Sequence, residues 1–578
     1  SWASSSLREL FTIHPPLDRD VAKQPKKPKI ADVKQGLATS DIKRFARRFW
    51  EVNPSNVGIG RKWVPFTKEG GDTKFYATMD SVVNWENNGE EIKTFAEGTG
   101  KPRVQNEDFY FKQGLTWTRK PVGTKKPYIA MRVLPTGMIF SVFNQACFPK
   151  QGFWSILSLL TSSLSYFLLS LKASEHNWEV GNLASLPISL KTIGSQPLSN
   201  YAHEGYDLLR EWDTGNEASP IFIKPSILQV LHGFNEREKP ITRQPFAGQF
   251  AWSDWGSLKK IRAIKGTAAM TLRELSSLVM KREQIMQNRL KELQVLIDEE
   301  VYRLYEISKE DKRLIEKELA LRRGEFSYSQ EETEGSDEEE QTEMSLDNEA
   351  KTAEQVARLV SFYVKKALET DTDGIIFLHQ LVEEVRKYLA KDFGADQLDT
   401  KEKEIEDSFG KSLEDWIATD YFDFHVNLYK RCPIFWHLTS SNFTRTRGSV
   451  GDFNCFLHYH KLDKDTMPKI LMNYLRPELD RAKWKVDRLK RELQEARDKD
   501  DKRKERRLSE ELDSALSTLE ELQSFRKALE EIRNPRKEKT KLPKKVRWID
   551  QKIAKVRDDG YNPVIDYGVR VNIEPLKE

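Results

Sequence analysis

Between residues 267 and 323, apolar side chains recur every three or four positions: Leu272, Leu275, Val279, Met286, Leu290, Leu293, Ile297, Val301 and Leu304. That spacing predicts one long helix with a single buried stripe, stopped by Gly324. A second stripe runs over residues 467–533, through Trp484, Leu489 and Leu493 and then Leu508, Leu512, Leu516, Leu519, Leu522 and Leu529. The charge cluster at 497–507 interrupts it. Two amphipathic arms each have a face to bury, so an antiparallel helical hairpin is the simplest solution. Residues 153–171 are 19 uncharged residues, close to the length that spans a bilayer. Seven of them are Ser or Thr, and Ile156, Leu157, Leu160, Leu164, Phe167, Leu168 and Leu171 keep a helical period. We read one buried amphipathic helix over 152–172, not a membrane span.

The pattern changes over residues 51–150. Short aromatic and β-branched runs are cut by Gly, Asn and Pro: KWVPF (62–66), KFYATM (74–79), VVNW (82–85), FYF (109–111), LTWTR (115–119), YIAMRVL (128–134) and MIFSVF (138–143). These predict strands. Before them, a Pro/Lys-rich stretch at 23–29 leads to a short basic helix at 41–50. Residues 173–255 are loop-rich, and 325–350 are acidic without a Lys or Arg, the composition of a disordered linker. Helices are expected at 352–369, 376–393 and 399–417, then a strand pair at 434–440 and 453–461. The fold class is α+β: a mixed β-rich module with a long bracing helix, then an α-rich C-terminal region carrying a small β element and the hairpin.

Composition adds little until its distribution is read. The 94 basic and 90 acidic residues leave a net charge of only +4. Residues 1–132, however, hold 24 Lys/Arg against 15 Asp/Glu, an excess of nine. Nucleic acid is the natural partner of such a surface. Three cysteines in 578 residues cannot build a disulfide framework, which suits a reducing cytoplasm. No signal-peptide pattern opens the sequence, which starts at Ser1.

The motifs of common enzymes are missing: no Walker A loop, no HExxH, no GxSxG. Gly58-Ile59-Gly60 is a lone GxG, and His14-Pro15-Pro16-Leu17 reads as an ordinary extended segment. Cys455, His458 and His460 suggest a metal, but in a strand 458 and 460 share a face that 455 does not, and no fourth ligand accompanies them. Packed strand residues are the plainer reading, and no metal is expected. What remains is a binding signature in which cations interleave with aromatics and an amide: Arg61, Lys62, Trp63, Lys112, Gln113, Trp117, Arg119, Lys120, Lys125, Lys126 and Arg132. Arg and Lys contact phosphates, while Arg and Gln can also read base edges.

Several segments, in order, resemble one family. VNWENNGEEIK (83–93) and QNEDFYFKQGLTWTR (105–119) are similar to the start of the target-recognition domain in PglX-type adenine-specific DNA methyltransferases of BREX phage-defence systems. DISARM methylases and fused restriction-modification enzymes share the pattern. RVLPTGMIF (132–140), ILSLLTSSLSYFLLSL (156–171) and WEVGNLASLPI (178–188) resemble the strand, helix and closing segment that follow. IDEEVYRLYEISKEDKRLIE (297–316) resembles the Leu-Tyr-Gly-Leu-type turn after the recognition domain, with Glu306 in place of Gly. CPIFWHLTSS (432–441), NCFLHYHKL (454–462) and YGVRVNIEPLKE (567–578) look like C-terminal segments of the family.

The resemblance implies a DNA target-recognition domain over 51–255, after a lead-in segment at 1–50. A bracing helix at 256–324, the acidic linker at 325–350, a mixed α/β domain at 351–470 and a hairpin with tail at 471–578 would follow. It implies double-stranded DNA as partner and S-adenosylmethionine as cofactor. Yet the family's Gly-rich cofactor motif and Asn-Pro-Pro-aromatic tetrapeptide are not in these residues. The expectation is therefore a recognition portion with no cofactor of its own and no catalytic residue, completed by a catalytic methyltransferase half elsewhere and working beside other phage-defence proteins. The alternative is a non-catalytic scaffold of a defence complex.

Overall fold

The computed structural model describes residues 3–68, 71, 73–95, 101–119, 128–172, 178–233, 269–323, 337–440, 451–462 and 465–533. They form two units, one of residues 1–270 and 274–348, the other of 271–273 and 349–578. Helices and several small sheets alternate in a mixed α+β architecture.

The first unit carries two four-stranded sheets. One is ordered β1 (Ala31–Lys34), β8 (Asn144–Pro149), β5 (Gly114–Thr118), β6 (Arg132–Leu134), antiparallel throughout. The other is ordered β2 (Ala46–Arg48), β4 (Ser81–Asn84), β3 (Trp63–Thr67), β7 (Ile139–Phe140), with only β3 and β7 parallel. Between them lies a core that includes Phe45, Val64, Phe66, Val83, Trp85, Tyr110, Leu134, Phe140 and Phe148. Large β-branched and aromatic residues suit strands buried on both faces. Gly36 lets two chains close: a Cβ there would fall 2.0 Å from the Phe140 carbonyl oxygen. That carbonyl accepts from Leu37 N–H at 2.9 Å.

Residues 31–34 and 46–48 belong to these sheets, so the lead-in segment is part of the β structure. The basic helix expected at 41–50 is a single turn, Ile42–Phe45, running into β2. Two predicted strands are not strands. KFYATM contributes one isolated bridge, Phe75 to Arg132, and continues without a ladder. FYF sits in a turn where Phe111 takes a φ of +65°. Both supply aromatic side chains to the core, which a run of apolar residues signals equally well without a ladder.

The Ser/Leu segment is two helices, Phe153–Thr161 and Ser163–Ser170, bent by 63° at Ser162. The expected single helix is broken by hydroxyls acting as caps. The Ser162 Oγ accepts from Ser165 N–H at 3.2 Å, and Asp298 accepts from both the Ser163 N–H (2.7 Å) and its Oγ (2.8 Å). On the other side of the break, the Lys74 ammonium donates to the Thr161 carbonyl at 3.1 Å and to Gln294 Oε1. Burial draws the Lys74 amine down to about 8. No single helix among the described residues is long and apolar enough to cross a membrane.

Asp298 and Gln294 stand on the long helix Leu272–Leu304, whose buried stripe includes Leu272, Leu275, Val279, Leu293, Ile297 and Val301. Its flank pairs with the helix Gln196–Asp213: Arg282 with Glu211 at 2.9 Å, and Arg289 bidentate with Glu204 at 2.7 and 3.0 Å. The helix does not run on to Arg323 as expected. It stops at Leu304 and restarts at Lys309. Glu306 takes a left-handed φ of +56°, and Ile307 N–H donates back to the Tyr302 carbonyl at 3.0 Å, closing the helix end.

In the second unit a three-stranded antiparallel sheet is ordered β10 (Phe435–Thr439), β11 (Asn454–His458), β9 (Ile375–Phe377). The predicted strand pair is β10 and β11; β9 replaces the start of the helix expected at 376, which spans Leu378–Phe393. A helix Asp337–Thr370 begins inside the stretch expected to be a disordered acidic linker. Acidic residues complement the dipole at a helix N-terminus, so an acidic run does not by itself mark a linker. Residues 324–336 lie outside the described residues.

The hairpin forms from Arg476–Asp498 and Lys502–Arg533, turning at Asp500. Its buried stripe is Leu479, Ala482, Val486, Leu489, Leu493 and Ala496 against Leu508, Ala515, Leu522, Phe525 and Leu529. Trp484 and Leu516, expected in the stripe, are exposed. Small Ala482 and Ala496 take the 3–4 positions that a search for large apolar residues passes over.

Candidate nucleic-acid interface

Three of the eleven sequence-predicted contact residues are core. Trp63 opens β3 with its indole buried and the Arg47 guanidinium 5.4 Å from the ring centroid. Trp117, central in β5, donates its indole N–H to the Trp178 carbonyl at 2.9 Å. Arg132 is fully buried and donates to Asn144 Oδ1 at 2.6 Å, Thr118 Oγ1 at 3.0 Å and the Ala130 carbonyl at 3.1 Å. A side chain committed to the interior has no surface to offer DNA, so the expectation for these three is corrected.

The others fall in separate places. Arg61 is exposed in the turn before β3, its N–H donating to the Gly58 carbonyl at 3.1 Å, and Lys62 follows it. Lys112 and Gln113 are exposed just before β5. Here the fold adds a partner the sequence did not offer. The Lys112 ammonium lies 5.2 Å from the Phe109 ring centroid, and the Lys34 ammonium, brought in by β1, lies 5.1 Å from the same centroid. Phe109 packs in turn on Phe148. Two cations thus share one half-buried ring at the edge of the sheet. The signal for Lys34 is topological: only the pairing of β1 with β8 carries it there.

Arg119 stands at the opposite end of β5, about 20 Å from Gln113 at the rise of a strand. It lies 3.6 Å from Glu179 and packs against the ring of Phe143. Lys120, Lys125 and Lys126 lie outside the described residues. Among the described residues, Lys34 and Lys112 therefore meet at Phe109, Arg119 stands at the far end of the same sheet, and Arg61 and Lys62 lie on the turn into the other sheet.

The residues considered for other chemistry are structural. Gly58 N–H donates to the Trp63 carbonyl at 2.8 Å, which makes 58–63 a tight turn into a strand and not a strand-to-helix phosphate loop. Pro16 bridges Pro187, and Leu17 N–H donates to the Leu186 carbonyl. Cys455 is in the second unit's core, where burial raises its thiol well above the ordinary range. His458 is buried and pulled down to about 3. Among the described residues no three His, Cys, Asp or Glu side chains gather as a metal site.

No family model matches the chain. Curated relatives do. Over 503 residues the chain is 23% identical to the adenine-specific methyltransferase BrxX of Escherichia coli O9:H4 (strain HS), a match covering 80% of this chain and 38% of that protein. The chain is a homologue of PglX-type adenine-specific methyltransferases of BREX systems. A second PglX-type relative, the adenine-specific methyltransferase PglX of Lacticaseibacillus casei (strain Zhang), is 25% identical over 174 residues, 28% of this chain and 14% of that protein. The chain thus spans well under half the length of either PglX-type relative.

Proposed function

We propose that this chain is the DNA-recognition and C-terminal portion of an S-adenosylmethionine-dependent, adenine-specific (N6) DNA methyltransferase serving phage defence or restriction-modification. The observation that carries the reading is a match that takes in four fifths of this chain but little more than a third of the relative named for adenine methylation. Methyl transfer, and the cofactor with it, belongs in this reading to a catalytic half beyond these residues. Residues 51–255 recognise double-stranded DNA, and the helices Leu272–Leu304 and Lys309–Arg323 hold that module in shape. Lys34, Arg61, Lys62, Lys112 and Arg119 supply phosphate contacts, with Gln113 placed to read a base edge. Lys120, Lys125 and Lys126 extend the same charge. Residues 351–578 serve as the docking side for other defence proteins.

The test is methyl transfer from labelled S-adenosylmethionine to mixed-sequence DNA. The chain is assayed alone and together with the protein encoded immediately upstream. Transfer only in the mixture, at a defined adenine site, is expected. Transfer by this chain alone would overturn the division of labour.

A further inference from the structure

Phe143, between β7 and β8, is 58% exposed, although nothing in folding favours an open phenyl ring. Its surroundings are polar. The Arg119 guanidinium lies over the ring, 5.8 Å from its centroid. The backbone beneath is paired: Arg119 N–H donates to the Phe143 carbonyl at 2.8 Å, one pair beyond the Thr118–Asn144 register. Trp178 N–H donates to the Arg119 carbonyl, also at 2.8 Å.

Behind the pair is a polar wall. Glu179 Oε1 lies 3.6 Å from Arg119 Nε, and Glu179 Oε2 accepts from Gln145 Nε2 at 3.2 Å. Gln145, two residues from Phe143 and on the same sheet face, is fully buried. The Gln145 Oε1 has no hydrogen-bond partner among the described residues. A protein partner would want contiguous apolar area, and the neighbours of Phe143 named here offer charge and amide instead. A flat apolar ring beside a planar cation is the chemistry that stacks on nucleobases.

We propose that Phe143 and Arg119 form a base-stacking site, in which the ring stacks on a base exposed from the DNA helix and the guanidinium holds the flanking phosphate. This rests on the DNA-recognition reading above. The test uses the full chain, mixed-sequence DNA carrying 2-aminopurine in duplex and single-stranded form, and affinity measured over a range of salt. Phe143→Ala should weaken binding to single-stranded DNA roughly tenfold or more and abolish the 2-aminopurine fluorescence change, with the salt slope unaltered. Phe143→Trp should keep both. Arg119→Gln should lower the slope by about one. Salt-dependent binding by the wild type with Phe143→Ala indistinguishable from it would overturn the stacking site alone. Failure of the wild type to bind DNA would overturn the recognition reading and the site together.

Discussion

Asp213 is a heavily used carboxylate of the first unit, and removing it has a calculable consequence. It is buried at the end of helix Gln196–Asp213 and accepts four hydrogen bonds: from Tyr76 Oη (2.6 Å), Thr78 Oγ1 (2.8 Å), Ser219 Oγ (2.6 Å) and Asn216 Nδ2 (3.0 Å). Those donors tie the extended segment after Phe75 to the helix end and to the turn at 214–219. Burial nonetheless raises the carboxyl above its ordinary range, the hydrogen bonds offsetting that only in part. In Asp213→Ala the four donors lose their acceptor at once. Each orphaned buried donor costs ~1–3 kcal/mol, and the hydroxyls can turn to other acceptors, so we expect a total of about 3–5 kcal/mol. Asp213→Asn keeps an acceptor and the volume and sheds the buried charge, so its loss should be about 1 kcal/mol. Thermal melting of the chain followed by circular dichroism should show the first unit destabilised on the order of 10 °C in Asp213→Ala and little in Asp213→Asn. The sign for pH follows from the raised carboxyl. The fold binds that proton more tightly than the unfolded chain, so this group opposes folding increasingly as pH rises through the carboxylate range. Asp213→Asn should lose that component. Equal melting of the two variants would refute the network's role.

Glu306→Gly should raise Tm, because a left-handed φ is strained for Glu and natural to Gly, while the exposed pair with Lys191 contributes little; a lowered Tm would contradict this. In the second unit, burial holds His437 at about 4, His458 at about 3 and His425 well below its ordinary value, so the fold prefers all three neutral. Stability should be fully present above about pH 6.5 and fall progressively as pH drops toward 4 and below, with His437→Gln flattening part of that slope in urea titrations. An unchanged slope would exclude His437. Replacing Lys34 and Lys112 together with Ala should reduce the salt slope of DNA binding by about two without changing Tm, and an unaltered slope would remove the Phe109 edge from the interface.

Much of this fold was legible where local pattern and tertiary packing agree. The stripe through Leu272, Leu275, Val279 and Leu293 faces the core as its period predicts, and the run around Leu489 and Leu522 makes the hairpin. Legibility failed where partners are distant in sequence. In 153–171 the Ser162 hydroxyl can cap a helix, but so can its Ser and Thr neighbours; Lys74 and Asp298, each far along the chain, fix the break there. At Glu306 the sequence shows only a departure from the family's Gly; the positive φ there explains why Gly is usual. At the candidate interface, residue type could not separate Arg132 and Trp117, which are interior, from Lys112 and Arg119, which are not. Charge and aromaticity serve cores and DNA surfaces alike; strand register decides between them. Phe143 is exposed, yet an isolated Phe in an apolar run reads as core.

The most direct test is the affinity of the chain for mixed-sequence duplex DNA, measured by fluorescence anisotropy between low and physiological salt. With phosphate contacts from Lys34, Arg61, Lys62, Lys112 and Arg119, log affinity should fall linearly against log salt with a slope of about −4 to −5. No measurable affinity at low salt, or an affinity indifferent to salt, would contradict DNA recognition by this chain and leave the scaffold reading in its place.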